Sequence, residues 1–294
     1  VTANALNKNT LFRGALESTF DIHKEAPLPV YHSKTLRRQF KNNSVEGKPV
    51  GETTGKVALY ATCYGNYNNP HLGEDFVNVF EHNDIRIDLV PKETCCGMPK
   101  LELGDLDAVD ALKEKNIPIL LGLVEEGYDL IAPVPSCVLM YKQELPLMYP
   151  GDMDVQKVKA AFFDPFEYLF LRHKESELKV DFKVGLGDIS YQVACHLRVQ
   201  NIGIKTRDIL NLIPDTEVHA IERCSGHNGT YAVKKETRDK ALKIARPVVR
   251  QVEQKEAVHF ASDCPMAGVH IANLSENIDY PEHPMTLLRK AYGL

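Results

Sequence analysis

KVALYATC (residues 56–63) and AVHFASDC (residues 257–264) decide how this chain folds. Each is a short apolar run, rich in strand-forming residues, that stops on a cysteine: Cys63 in one, Cys264 in the other. Runs of this length and composition read as buried strands. Outward from them, IRIDLVP (85–91), DLIAPVP (129–135), ISYQVAC (189–195) and EVHAIERC (217–224) have the same character. Helical spacing fills the intervals, in HLGEDFVNVFEHND (71–84), DLDAVDALKEKNIPILLGLVEEG (105–127), VLMYKQELPLM (138–148) and IGIKTRDILNLI (202–213). A further helix is expected over 233–254, bent near Pro247. Strands alternating with helices predict an α/β fold, parallel sheet with helices on both faces.

The series occurs twice. Cys63 and Cys195 lie 132 residues apart, Cys95 and Cys224 lie 129 apart, and Cys137 and Cys264 lie 127 apart. Three landmarks at near-constant offset, all at strand ends, identify an internal duplication. The expectation is two similar parallel-sheet halves, residues 56–150 and 181–294. A connector over 151–180 contains VQKVKAAFFDPFEYLFLRHKE (155–175), which reads as one helix packing across the halves. Residues 1–55 are polar and irregular and read as a linker, with a short helix over NTLFRGALESTF (9–20).

Composition narrows the function. A chain of 294 residues, 44% hydrophobic and 26% charged, buries a core without staples. No apolar run approaches the roughly 18 residues of a membrane span. A net charge of −5 argues against a nucleic-acid binder. The basic patch SKTLRRQFKNN (33–43) is short and reads as solvated surface. Seven cysteines are an odd number for a disulfide framework, so the expected compartment is reducing and cytoplasmic, with thiols kept for metal or chemistry. The start at Val1, without Met, suggests a piece of a longer protein.

In a doubly wound sheet the functional crevice lies beyond the carboxyl ends of the strands. Cys63, Cys95, Cys96 and Cys137 fall at those ends, and Cys195, Cys224 and Cys264 occupy matching places in the second half. Gathered thiolates suit zinc or an iron–sulfur cluster. Gly97, lacking a Cβ, lets the backbone come close. A single buried cysteine is an ordinary small hydrophobe, but six in matched places beside a Cys95–Cys96 pair point to metal. His196 and His227 adjoin the second set, as ligands or as hydrogen-bond partners. The GHNGTY stretch (226–231) reads as a Gly-rich turn, or more weakly as an anion loop. Asp105 is placed to cap the helix that follows it. A disulfide between the neighbours Cys95 and Cys96 is strained, which disfavours a metal-free dithiol couple. No G-x-S-x-G elbow, H-E-x-x-H or P-loop is present.

The pattern C…CCGMP…GD…PSC, followed by CH…CSGHNG…SDC, resembles the duplicated cysteine-rich (CCG) module found in the heterodisulfide reductase family. The same module occurs in the iron–sulfur subunits of anaerobic glycerol-3-phosphate dehydrogenase and of glycolate oxidase. The resemblance covers roughly residues 15–294. It is strongest to the glycerol-3-phosphate dehydrogenase member through GHNGTYAVKKE (226–236) and EHPMTLLRKAYG (282–293). FDIHKEAPLPVYHSKT (20–35) resembles the segment leading into these modules, which a ferredoxin-like domain usually precedes. The family pattern is C-x31–39-C-C-x35–40-C-x-x-C, five cysteines able to hold a [4Fe–4S] cluster, in some members a non-cubane one. It implies Cys63, Cys95, Cys96 and Cys137 as cluster ligands, with 31 residues between the first two and 40 between the last two. Met140 stands where the fifth cysteine is expected. In the second half Ser225 and Ala267 replace two of the five. Cys195, Cys224 and Cys264, with His196 or His227, leave zinc, a second cluster or an empty site as open alternatives.

The resemblance implies an iron–sulfur oxidoreductase subunit relaying electrons from a flavoprotein or ferredoxin-type partner to an acceptor such as quinone or a disulfide. Such a subunit would have no transmembrane segment of its own and would meet the inner membrane only peripherally, through a partner. The absent cysteines favour relay over direct disulfide cleavage. The competing reading is a zinc-stabilised structural or interaction module without redox activity.

Overall fold

Val57, Ala58 and Leu59 are fully buried, so strand β1 (Lys56–Leu59) is covered on both faces. A continuous apolar run suits that position, whereas an alternating one would leave a face to water. The computed structural model describes residues 2–41 and 45–294. Strands β2 (Arg86–Leu89), β3 (Asp129–Ile131) and β4 (Phe162–Phe163) complete the first sheet, in the order β2–β1–β3–β4. Strands β5 (Gly187–Gln192), β6 (Thr216–Ile221) and β7 (His259–Ser262) form the second, in the order β6–β5–β7. All pairings within these sheets are parallel, with Val57 opposite both Ile87 and Asp129 in the first and Ile189 opposite both Val218 and His259 in the second. Each half places its first strand between the next two. The α/β fold of two duplicated parallel-sheet halves is therefore present in three dimensions.

The helices follow the apolar spacing. His71–His82 turns Leu72, Phe76, Val79 and Phe80 inward, with the rings of Phe76 and Phe80 stacked 5.9 Å apart. Burying each ring contributes about 2 kcal/mol relative to exposure. Leu106–Glu125 begins at Asp105, whose carboxylate accepts from the Ala108 amide at 3.3 Å. In the second half the helix expected from residue 233 starts only at Arg238. The backbone before it is engaged elsewhere: Val233 O accepts from His23 N and Lys235 N donates to Asp21 O, both at 2.8 Å.

Three expectations are corrected. The connector is two helices, Met153–Ala161 and Pro165–Lys174, separated by β4. The adjacent Phe162 and Phe163 are strand formers, and Asp164 restarts the helix with a capping box in which Glu167 is the reciprocal partner. The second of these helices sends Phe166 and Leu169 into a core shared with Ile189, Ile209 and Leu210 of the second half.

Residues 1–55 are more than a linker. After the helix Thr10–Phe20, the chain straps across both halves. Arg13 is buried, and its guanidinium donates to the carbonyls of His23, Lys24 and Ala26 at 2.8, 2.9 and 2.5 Å. His32 N donates to Tyr67 O, and Asn68 Nδ2 to Val30 O, both at 2.8 Å. The basic patch is likewise not simply solvated surface. Leu36 is 2% exposed against Gly73, and Arg37 pairs with buried Glu93 at 2.7 Å. Residues 42–44 of the patch and of the extension, and Val1, lie outside the described residues.

The C-terminal helix Pro284–Tyr292 crosses back to the first half. Arg289 Nε and Thr286 Oγ1 donate to the Asp75 carboxylate at 2.6 and 2.5 Å. At its start His283 lies 3.1 Å from Pro133 O through Nε2, while Nδ1 accepts from Met285 N at 3.1 Å. No helix among the described residues is long and apolar enough to cross a membrane.

The buried His283 yields a pH prediction. Burial holds its imidazole down to about 4, against 6.5 when free. Between those values the unfolded chain binds the extra proton, so this contribution is whole above pH 6.5 and is lost as the pH falls toward 4. The buried carboxylates Glu93 and Asp164, raised to about 7, act with the opposite sign. The measurable quantity is thus the difference between wild type and His283→Gln. By urea unfolding, wild type should lose up to about 3 kcal/mol more than the variant between pH 7 and pH 4. Equal losses in both would remove His283 as the cause.

Candidate metal centre

A parallel sheet sends its carboxyl ends to one edge, and that edge carries the thiols. Cys63 opens the short helix Cys63–Tyr67 beyond β1, Cys95 and Cys96 follow β2, and Cys137 lies in the helix Pro135–Leu139 beyond β3. Because β2 and β3 flank β1, these three loops converge. The thiols act on one another electrostatically in series, Cys63 with Cys95, Cys95 with Cys96, and Cys96 with Cys137. The four residues predicted as cluster ligands are therefore brought together.

Their electrostatics are uneven. Hydrogen bonds from the Cys63 and Cys96 thiols, with help from the Gly97 amide, hold Cys95 well below the ordinary thiol range. Cys63 is pushed up, first by its hydrogen bond to Cys95 and then by burial. Cys96 is pushed up by its hydrogen bonds to Cys137 and Cys95 and by complete burial. One thiolate forms readily, and its neighbours resist adding like charge beside it. A cationic iron–sulfur core offsets that repulsion, so the donor set fits the group that the sequence implies.

Several supporting residues carried no signal in the sequence. Asn116, 1% exposed on the helix Leu106–Glu125, accepts from Thr94 N and Oγ1 at 2.9 and 3.1 Å. Its amide donates to Cys95 O at 3.0 Å, fixing the backbone that carries the cysteine pair. Tyr60 O–H donates to Thr94 O at 2.5 Å, and Tyr141 O–H to Tyr60 at 3.2 Å. Thr62, just before Cys63, has φ 62°, a left-handed conformation that strains a β-branched residue by about 1–3 kcal/mol. Its hydroxyl accepts from Gly65 N at 3.0 Å. Burial raises the Glu93 carboxylate to about 7, against the pull of Arg37 and of the nearby Thr62 and Ala61 amides. Met140, fully buried in place of the family's fifth cysteine, lies against the cysteine turn. A Cβ on Gly97 would sit 3.3 Å from its Cε.

The second half repeats the layout with a poorer donor set. Cys195 opens the helix Cys195–Arg198 beyond β5, Cys224 follows β6, and Cys264 caps the helix Pro265–Ala272 beyond β7. Burial, and then the neighbouring Cys224, push Cys195 up. Burial also pushes Cys264 up to about 11. Ser225 is buried in the position matching Cys96, and its Oγ accepts from His227 N at 3.3 Å. Gly226 cannot carry a side chain, since a Cβ would meet Ala241 O at 2.3 Å and its φ is 73°.

All three thiols line one cavity of about 410 Å³, together with His196, His227 and Ala267. The first half contributes Met98, Ser136 and Glu102, whose carboxylate stands 3.8 Å from His196 Nε2. Burial keeps both imidazoles neutral, His227 down at about 4 and His196 lowered likewise. In neither half do three thiols approach within 4.8 Å of one another. Among the described residues only Asp188, Glu217 and His219 do so, on exposed surface at the opening ends of β5 and β6. Tetrahedral zinc brings its thiolates to about 3.8 Å of each other, given Zn–S bonds near 2.3 Å.

Known proteins are similar to this chain in sequence. The CCG cysteine-rich domain matches twice, at residues 57–142 and 189–272, together more than half of the chain. The C subunit of anaerobic glycerol-3-phosphate dehydrogenase from Escherichia coli (strain K12) is 27% identical over 282 residues, 95% of this chain and 69% of that protein. The B subunit of fumarate reductase (CoM/CoB) from Methanothermobacter marburgensis is 27% identical over 235 residues, 77% of this chain and 44% of that protein. An uncharacterized iron–sulfur protein of Methanocaldococcus jannaschii is 25% identical over 219 residues, 74% of this chain and 41% of that protein. The duplicated sheets, the cysteine-tipped strands and both domain matches lead to one conclusion: this chain belongs to the CCG cysteine-rich domain family.

Proposed function

We propose that the chain is an iron–sulfur oxidoreductase subunit that relays electrons. The observation that carries this reading is the convergence of Cys63, Cys95, Cys96 and Cys137 at the carboxyl edge of one parallel sheet, where Cys95 is favoured as thiolate. These four would hold a [4Fe–4S] cluster, which supplies one-electron chemistry when bound. The names of two relatives, both oxidoreductase subunits, and the iron–sulfur name of a third support the same reading. Redox partners follow from it: a flavoprotein or ferredoxin-type donor, and an acceptor of quinone or disulfide type.

The chain's own residues bind and orient. Asn116 and Tyr60 hold the Thr94–Cys95 backbone in place, and Gly97 admits the close approach of the turn. The packed Tyr60, Tyr141 and Met140 side chains keep water from the buried side of the site. In the second half Cys195, Cys224 and Cys264, with neutral His196 or His227, can take a second metal group. Zinc and a second cluster are both compatible with that donor set.

The test is iron and zinc analysis with an absorption spectrum on protein purified without oxygen. About four irons per chain, or more if the second site fills, with a broad band near 400 nm is the expected result. Cys95→Ser should abolish most of that band. One zinc and no iron would overturn the reading and leave a structural module. Asn116→Leu leaves Cys95 O and the Thr94 amide without their buried partner. It should lower stability by about 2 kcal/mol and speed bleaching of the 400 nm band in air, followed by spectroscopy.

A further inference from the structure

A second cavity, of about 540 Å³, shares His227 and Met266 with the thiol-lined one. Its walls come from three separate parts of the chain: Pro27 to Val30 of the N-terminal strap, Tyr64 of the first half, and the helix Pro265–Ala272 of the second. Such a volume holds a small organic molecule. The lining is mainly apolar and includes no Lys or Arg. Its one carboxylate, Glu282, is already engaged by His259 and Lys290, both at 2.5 Å. A phosphate or carboxylate ligand would meet no Lys or Arg in that lining, and burying an unpaired charge is heavily disfavoured.

One polar atom is left without a partner. His270 is 4% exposed, its ring lines the cavity, and its Nε2 makes no hydrogen bond. A buried polar nitrogen without a partner costs free energy that a ligand oxygen would recover. Burial, with His227 and Arg238 nearby, holds this imidazole down at about 4, so it presents a neutral ring nitrogen. Its neighbour His227 is 6.1 Å away between ring centres.

We propose that this cavity is a binding site for an uncharged, largely apolar ring compound, anchored through one carbonyl or hydroxyl oxygen on His270 Nε2. Its occupant lies against Tyr64, next in the chain to Cys63, and against Met266, two residues after Cys264. It therefore sits beside the cysteine arrays of both halves. The site does not rest on the iron–sulfur reading, because none of its binding atoms is a thiol.

Three probes of one shape separate the terms: 1-naphthol, naphthalene and 1-naphthoate, by equilibrium dialysis against the full chain. One 1-naphthol per chain should bind, with 1-naphthoate at least tenfold weaker. His270→Leu should weaken 1-naphthol by roughly tenfold, the worth of one buried hydrogen bond, and leave naphthalene unchanged. Val269→Phe, which fills the cavity without touching the anchor, should weaken both while thermal unfolding matches wild type. This second variant keeps the test decisive if His270→Leu does not fold. Tightest binding by 1-naphthoate would overturn the proposal. Naphthol and naphthalene affinities that are equal and insensitive to His270, or no binding of any probe, would do the same.

Discussion

All strands of a parallel sheet deliver their carboxyl ends to the same edge, and this constraint organises the whole molecule. When the first strand sits between the next two, the three loops that follow β1, β2 and β3 have to meet. Residues far apart in the chain, Cys63 and Cys137, thereby come close enough to act on each other electrostatically. Convergence alone would leave thiols in arbitrary poses. The buried amide of Asn116, the strained Thr62 and the glycine at position 97 turn it into a defined array. Each of these features makes sense only because the sheet has already brought the strand tips together.

The two halves share this geometry and differ in chemistry. In the first, hydrogen bonds concentrate on Cys95 and make one thiolate accessible. In the second, burial pushes both Cys195 and Cys264 up, and a hydroxyl at Ser225 replaces the thiol that would have paired with Cys224. Gly226 stays indispensable because the backbone of the helix Arg238–Glu253 packs against it, whatever the site holds. The turn Cys224-Ser225-Gly226 thus persists with one thiol fewer than its counterpart Cys95-Cys96-Gly97.

Much of this was legible from residues alone. Apolar runs ending on cysteine marked the strands, near-constant offsets marked the duplication, and Asp105 marked a helix start. What escaped was whatever depends on partners distant in sequence. Residues 1–55 look like a linker because their polarity is real, but the buried Arg13 ties three backbone carbonyls of its own segment together through Nε and one terminal nitrogen. Arg37 looked like surface until Glu93 supplied a buried counter-charge. The connector kept helical periodicity through Phe162 and Phe163, whose strand character emerges only because β3 offers an open edge. Asn116 sits within a helical pattern where any polar residue would read as exposed. Its burial follows from the cysteine loop packing above it.

Neither half is a complete unit. Phe166 and Leu169 belong in sequence to the connector but are buried with Ile189 and Ile209, and Tyr292 returns from the last helix to meet Phe80's side of the first half through Asn83. The same exchange reaches the thiols of the second half. Glu102 faces His196 across a cavity that contains Cys195, Cys224 and Cys264, and Met98 and Ser136 complete its wall. A carboxylate from the opposite repeat, raised by burial, thereby stands 3.8 Å from the imidazole beside Cys195, which burial itself lowers. Duplication supplied two copies of one scaffold. The packing between them made the second site a product of both, so its chemistry has to be argued from residues of each half.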